Sequence, residues 1–466
     1  MKKIIVASLI ILLPGILNAQ TVPAALQGML NNTLDSMLLA LDNKSLSASV
    51  QMNNTAVWEY ATGISSDVPW VNATPADAYQ YCSIGKTLTA ACVLQLVDEG
   101  VLSLDDSIHQ WLDTMGYVNP DITIRQLLRH QSGLYDVLDN PASQPTLLLN
   151  PDSIWTLPDF INTFIQPPPA APGGLFSYCN TGYLLLGMII EQATGNPFYT
   201  EIRNRFLTPL SLNTVGIPSL ESYSNPVAHV WLDTTGDGVT EDAHLFFYPW
   251  FSINSAVAPA GGYYGTAADL SRWMRAYMRG DLHSAAIMSE AKTTISAGGM
   301  PVTYGLGLMK KTFLGLTGYG HGGDLGYSGS SWYFPAKDIS ITVLNNDGDY
   351  TSWQLIPVVT ALLKTYNQWE ATAVEDMDES VFRISAYPNP FQAQLFVSMH
   401  LDVAKENVKI VMTNAIGETI ASMEKESLPP GDHKLDFTNL SGLSQGMYFV
   451  SVYIDGNRIR TVKLVR

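Results

Sequence analysis

Ser83-Ile84-Gly85-Lys86-Thr87-Leu88-Thr89-Ala90-Ala91-Cys92-Val93-Leu94-Gln95-Leu96 is the stretch on which the reading of this chain turns. The apolar run at residues 88–96 has helical character. With Ser83 opening that helix, Lys86 sits three residues on and faces the same side. A serine hydroxyl needs a base to become a nucleophile, and a lysine amine serves when it is neutral. Burial and the positive end of a helix both lower a lysine pKa. The start of the helix also offers backbone N–H groups to a developing oxyanion.

Two further clusters lie downstream. Pro172-Gly173 leads to Phe176-Ser177-Tyr178-Cys179-Asn180-Thr181-Gly182-Tyr183 and then an apolar helix at residues 184–193. A tyrosine hydroxyl at 178 carries a proton between nucleophile and leaving group, and Asn180 holds the lysine and a substrate carbonyl. The third cluster is His321-Gly322-Gly323-Asp324, within the Gly-rich run at residues 320–330. Gly322 and Gly323 let a substrate approach the strand backbone. His321 supplies a cationic or hydrogen-bonding group beside the leaving group.

Around these clusters, residues 46–52 and 56–61 read as a strand hairpin. Residues 79–282 are mostly helical in pattern. Residues 304–310, 330–334 and 339–344 read as strands, and 353–366 as an amphipathic helix. Strands at both ends of the segment with helices between them predict an α+β domain: one antiparallel sheet flanked by helices, with a helical lobe beside it and a cleft between.

The three clusters, in this order, resemble the serine β-lactamase and penicillin-binding-protein superfamily, whose signature is S-x-x-K followed by two later motifs. The Y-x-N form at Tyr178 and Asn180 is similar to the branch of class C β-lactamases, DD-carboxypeptidases, esterases and D-aminopeptidases. Ile122-Thr123-Ile124-Arg125-Gln126-Leu127-Leu128-Arg129-His130-Gln131-Ser132-Gly133-Leu134, Pro259-Ala260-Gly261-Gly262 and Tyr304-Gly305-Leu306-Gly307 support it. The resemblance spans most of residues 25–365. It implies a β-lactamase/transpeptidase-like fold with Ser83 as the acylated nucleophile. Lys86 and Tyr178 would act as a coupled proton-transfer pair, and Asn180 would position Lys86 and the substrate amide. The backbone N–H groups of Ser83 and Asp324 would form the oxyanion hole. His321 would stand where the superfamily places lysine or histidine. A histidine is mostly neutral at pH 7, and Gly322 lacks the hydroxyl that would bind a substrate carboxylate. Both departures place a DD-carboxypeptidase or esterase acting on D-amino-acid peptides, small esters or amides above a β-lactamase. A non-catalytic penicillin-binding-like surface protein is the reading from another class.

Outside this segment, Lys2 and Lys3, an apolar run at residues 4–17 and Leu17-Asn18-Ala19 predict a signal peptide at residues 1–19. Residues 20–370 form the hydrolase domain and 371–380 an acidic linker. In 381–466, short alternating runs (395–400, 408–413, 434–437, 448–454, 459–465) with a hairpin signal at Asp455-Gly456-Asn457 predict a β-sandwich. Tyr387-Pro388-Asn389-Pro390-Phe391, Gly417, Gly446-Met447-Tyr448-Phe449-Val450 and the closing Lys463-Leu464-Val465-Arg466 resemble the C-terminal sorting domain of type IX secretion. This implies export to the cell surface or medium, with the secretion machinery as partner.

The formal charge of −17 opposes binding to nucleic acid or anionic lipid, and no later run is long enough for an integral membrane segment. No cofactor or metal is expected. Asp233-Thr234-Thr235-Gly236-Asp237-Gly238 resembles a calcium loop, but His244 stands where a bidentate Glu belongs. Cys82 and Cys179 flank site residues and read as buried thiols, with a disulfide as the alternative; Cys92 reads as core. His130, His229 and His283 have no metal-ligand spacing and read as structural. The aromatic run Phe246-Phe247-Tyr248-Pro249-Trp250-Phe251 reads as lining the substrate pocket, with the core of the helical lobe as the alternative.

Overall fold

The computed structural model describes residues 22–52, 56–372, 384–414, 418–454 and 457–466. The expected signal peptide, residues 373–380 of the expected linker, Gly417 and the Asp455-Gly456 turn lie outside them. The chain divides into two compact units, Met1–Leu363 and Lys364–Arg466.

The first unit opens with a helix that the pattern reading did not assign, α1 (Ala24–Leu41). Its buried Leu26, Leu30 and Leu34 recur every fourth residue and form one apolar stripe. That stripe faces the sheet, and Asn31 Oδ1 accepts the indole N–H of Trp58 at 2.9 Å. The strands β1 (Ser45–Met52) and β2 (Ala56–Asp67) pair antiparallel from Ser45↔Gly63 to Met52↔Ala56. All of β1 is buried, because it lies between β2 and the late strand β9 (Ile339–Asn345). The sheet also contains β3 (Trp70–Asn72), β4 (Ile295–Ser296), β5 (Thr303–Tyr304), β6 (Met309–Phe313), β7 (Leu316–Leu325) and β8 (Tyr327–Phe334). Its order is β3-β2-β1-β9-β8-β7-β6-β5-β4. The two ends of the segment therefore meet at the β1–β9 pairing, which closes the expected antiparallel sheet.

Two differences from expectation have local causes. The strand expected at 304–310 is broken into β5 and β6 by a turn in which Gly305 N–H bonds Leu308 O at 2.8 Å. Gly307 in that turn has φ +75°, a conformation glycine adopts freely. Conversely, β7 is a ten-residue strand containing four glycines. Glycine is poor in β propensity, so pairing with β8 from Tyr319↔Tyr333 to Leu325↔Tyr327 holds it rather than local preference.

Three further helices pack against the sheet or one another. α2 (Lys86–Asp98) is buried on nearly every side, as expected of a core helix. α3 (Asn180–Thr194) is ended by Gly195 at φ +74°. α4 (Ala267–Arg279) is capped by Thr266, which accepts from Asp269 N. Small residues let α4 lie close on the sheet, where Ser271 Oγ and Ser340 Oγ of β9 are 2.9 Å apart. A final helix, α5 (Ile356–Thr372), runs past the predicted end at 366 and takes in residues 371 and 372 of the expected linker. Among the described residues no helix is long and apolar enough to cross a membrane.

The second unit is built of strands in two sheets. One has the order β10 (Ile384–Tyr387), β11 (Leu395–Leu401), β14 (Gly431–Phe437). The other has the order β13 (Thr419–Leu428), β12 (Lys405–Asn414), β15 (Met447–Ile454), β16 (Asn457–Val465). Alternate residues Leu395, Val397, Met399 and Leu401 share one core with Val408, Ile410, Met412, Val450 and Val452, as a sandwich requires. β13 escaped the sequence reading because its residues are mostly polar and exposed.

Candidate active site

Ser83 lies one turn earlier than expected. It sits in a 3-10 turn, Cys82–Gly85, and the α-helical turns begin at Lys86. Cys82 adopts φ +49° and Ile84 N–H bonds Tyr81 O at 3.1 Å, which tightens the entry. Ser83 is half-buried and Lys86 fully buried. The Lys86 Nζ is 3.1 Å from Ser83 Oγ, 2.7 Å from Asn180 Oδ1 and 2.9 Å from Ala260 O. The last two are acceptors only. A neutral amine has two N–H bonds for them and directs its lone pair at the Ser83 hydroxyl. Burial pulls the Lys86 ammonium down to about 7, against an opposing pull from the Asp136 carboxylate.

Asp136 is a residue the sequence reading missed. It lies two positions beyond the His130–Leu134 run, on a loop with no pattern of its own. Its Oδ2 accepts both the backbone N–H and the side-chain Nδ2 of Asn180, each at 2.8 Å, and its Oδ1 accepts Leu138 N–H at 3.0 Å. These bonds cap the start of α3 and orient the Asn180 amide, so that Oδ1 faces Lys86. Burial raises the Asp136 pKa. Tyr178 stands just before α3, with its ring centroid 5.0 Å from Lys86 Nζ. Its hydroxyl lies beside the Ser83 side chain, and burial raises its pKa, which keeps the phenol protonated. Of the coupled pair expected from sequence, Lys86 is therefore the member poised to accept a proton.

The third cluster lies on β7, beyond the end of its pairing with β6 at Gly320. Gly323 is required by close approach: a Cβ there would stand 2.6 Å from Tyr81 O and 2.8 Å from Ser83 N. This brings the backbone leading to Asp324 beside that of Ser83, where an oxyanion hole needs both N–H groups. A Cβ on Gly322 would stand 2.6 Å from Ser352 Oγ. Ser352 fills that space and donates from Oγ to Asp324 Oδ2 at 2.8 Å, while its backbone N–H bonds Oδ1.

Of the two roles open to His321, the geometry favours the hydrogen-bonding one. A cationic role was open from sequence, but the ring is fully buried and burial pulls its pKa down to about 3. Both nitrogens are engaged, Nδ1 with Gly322 O and Nε2 with Tyr304 Oη at 2.9 Å. Burial and these partners oppose an imidazolium.

Other sequence readings resolve as follows. The cysteines are three free, buried thiols, so the alternative of a Cys82–Cys179 disulfide falls away. The aromatic run is split: Phe246 and Tyr248 are exposed, whereas Trp250 is buried and packs on Phe247 at 5.5 Å between centroids. The Asp233 carboxylate accepts the N–H groups of Gly236, Asp237 and Gly238, as a solvated turn does. His229 Nδ1 bonds Asp242 Oδ2 at 2.7 Å and His283 Nε2 bonds Ala91 O at 2.8 Å.

The chain is similar to characterised proteins over both units. The family model described as Beta-lactamase matches residues 35–357, and that described as Secretion system C-terminal sorting domain matches residues 385–465. "Penicillin-binding protein 4" of Amycolatopsis lactamdurans is 29% identical over 316 residues, which is 63% of this chain and 79% of that protein. A D-aminopeptidase of Brucella ovis is 27% identical over 304 residues, 64% of this chain but only 55% of that enzyme. Among solved structures, a D-stereospecific amidohydrolase from Streptomyces sp. has 28% identity and a TM-score of 0.59, covering 68% of this chain and 94% of that one.

Proposed function

The chain belongs to the Beta-lactamase family and carries a type IX secretion sorting domain, and from that premise we propose that it is an exported serine hydrolase working through an acyl-enzyme at Ser83. The observation that carries this reading is the contact of Lys86 Nζ with Ser83 Oγ at 3.1 Å, with the other two directions of Nζ closed by fixed acceptors.

The geometry supports the following steps. Lys86 takes the proton as Ser83 Oγ attacks the substrate carbonyl. The oxyanion is received by the backbone N–H groups of Ser83 and Asp324. Tyr178, protonated and beside Ser83, passes its proton to the leaving amine or alkoxide and takes one back from the Lys86 ammonium, which restores both groups, while Asn180 holds Lys86 and the substrate amide. Water then attacks the ester, and the same groups run in reverse.

The substrate class follows from charge. Carboxylate recognition favours a fixed cation and a hydroxyl in the third cluster. Here His321 is neutral and Gly322 has no side chain. Asp136 and Asp324 both bear on Tyr178 and, when ionised, oppose a substrate carboxylate. We therefore assign the site to D-amino-acid amides or peptides and small esters, above β-lactams and peptides recognised through a terminal carboxylate.

The test is mass spectrometry after exposure to a p-nitrophenyl ester, a D-amino-acid p-nitroanilide and a fluorescent penicillin. An adduct on Ser83, absent in Ser83→Ala, with turnover of ester or anilide and slow release from penicillin, supports the reading. Rapid penicillin turnover would instead make the protein a β-lactamase. No adduct with any of the three would leave the non-catalytic surface protein.

A further inference from the structure

His130 is not among the reacting groups, yet it grips one of them. Its backbone is left-handed, with φ +55°, which is uncommon for a residue with a side chain and marks a position held by its surroundings. In this conformation its carbonyl accepts Ser177 N–H at 2.8 Å and its ring Nδ1 accepts Cys179 N–H at 3.1 Å. Those two residues flank Tyr178. The imidazole also lies against the Tyr178 ring, with centroids 4.2 Å apart and planes at 30°.

The other edge of the ring leads to the third cluster. His130 Nε2 is 3.1 Å from Tyr304 Oη, Tyr304 Oη is 2.9 Å from His321 Nε2, and His321 Nδ1 bonds Gly322 O. This chain has one polarity when both rings are neutral. The Cys179 N–H is a donor only, so His130 Nδ1 is bare and its proton is on Nε2. That proton goes to Tyr304 Oη, whose own hydrogen is then given to His321 Nε2. His321 carries its proton on Nδ1 and donates it to the Gly322 carbonyl, an acceptor only.

We propose that His130 and Tyr304 are positioning residues, which clamp Tyr178 through the backbone on either side of it and hold His321 as the neutral Nδ1–H tautomer. The surroundings support neutrality. His130 faces Tyr178, Tyr183, Tyr304, Cys179 and Lys86, and His321 faces Tyr178, Tyr304 and Lys86. Burial raises the pKa of each of those tyrosines and of Cys179, so none is an anion at neutral pH. Lys86 opposes a second cation. His321 then has no N–H to present to the cleft, and its part is to fix the Gly322 carbonyl.

The kinetic consequence rests on the proposed acylation of Ser83, but the tautomers are read without turnover. In the full-length protein labelled with 15N-histidine, His130→Gln and His321→Gln variants assign the two signals. The expected result is Nε2–H for His130 and Nδ1–H for His321, both neutral from pH 5 to 8. An Nε2–H or imidazolium form of His321 at pH 7 overturns the proposal in the wild-type protein alone. Tyr304→Phe removes the middle donor: His321 is expected to lose its single tautomer, and Ser83 acylation by a p-nitrophenyl ester to fall about tenfold or more in kcat with KM little changed. An unchanged His321 signal in that variant also overturns it. Absence of any acylation in the wild-type protein would refute the serine hydrolase and leave the tautomer result standing.

Discussion

Asp136 and Lys86 are joined through a single amide. Asn180 gives its Nδ2–H to Asp136 Oδ2 at 2.8 Å and takes a proton of Lys86 on Oδ1 at 2.7 Å. A flipped amide would face Lys86 with a donor, so the carboxylate decides that the lysine meets an acceptor.

The pH dependence of acylation follows from Lys86. Its ammonium is pulled down to about 7 by burial, and only the neutral amine accepts the Ser83 proton. The rate of Ser83 acylation by a neutral ester is expected to fall tenfold per pH unit below about 7 and to level off above it. Stopped-flow release of p-nitrophenol across pH 5–9 measures this. A flat profile would remove Lys86 as the base.

Asp136→Asn separates the two effects of the carboxylate. The anion favours the Lys86 ammonium, so its loss is expected to move the acidic limb to lower pH. The plateau should fall as well, because the Asn180 amide loses the partner that orients it. A limb shifted to higher pH would contradict the sign.

Lys86→Ala is expected to abolish acylation, by about a thousandfold or more, in the upper range for a positioned acid or base. His321→Ala should cost less, since the ring is neutral and turned to Gly322 and Tyr304. Adduct formation on Ser83, followed by mass over time, ranks the two. Full activity in Lys86→Ala would refute the assigned proton path.

Gly323→Ala tests the oxyanion site. The added Cβ meets backbone atoms of Tyr81 and Ser83 at 2.6 and 2.8 Å, so β7 must retreat from the serine turn. A loss on the order of a hundredfold in kcat is expected, the scale of one oxyanion donor. Near-normal turnover would place the oxyanion elsewhere.

Deleting residues 381–466 should leave ester hydrolysis by purified protein intact and abolish export. The two units have separate cores. Immunoblots of medium and cell fractions, with activity on the same preparations, read both outcomes.

Ser83, Lys86, Tyr178 and Asn180 were legible because each falls in a short motif beside a periodic apolar helix. Asp136 was not, since its one distinguishing property is the pair of N–H groups it meets at residue 180. His130 and Tyr304 were visible only as parts of supporting runs, and their link to His321 crosses β5 and β7. The strand β7 was hidden by the glycines that let it approach Ser83.

Local pattern by itself determined the α+β class and the sandwich of the second unit and marked out the Ser83 and Lys86 motif, because periodicity and short motifs act over a few residues. Tertiary structure decided that Lys86 is buried beside Ser83 among fixed acceptors and that the His321 ring is enclosed. Those properties come from burial and from partners 94 and 174 positions away from Lys86, and the free energy of a charge depends on what surrounds it in space rather than along the chain.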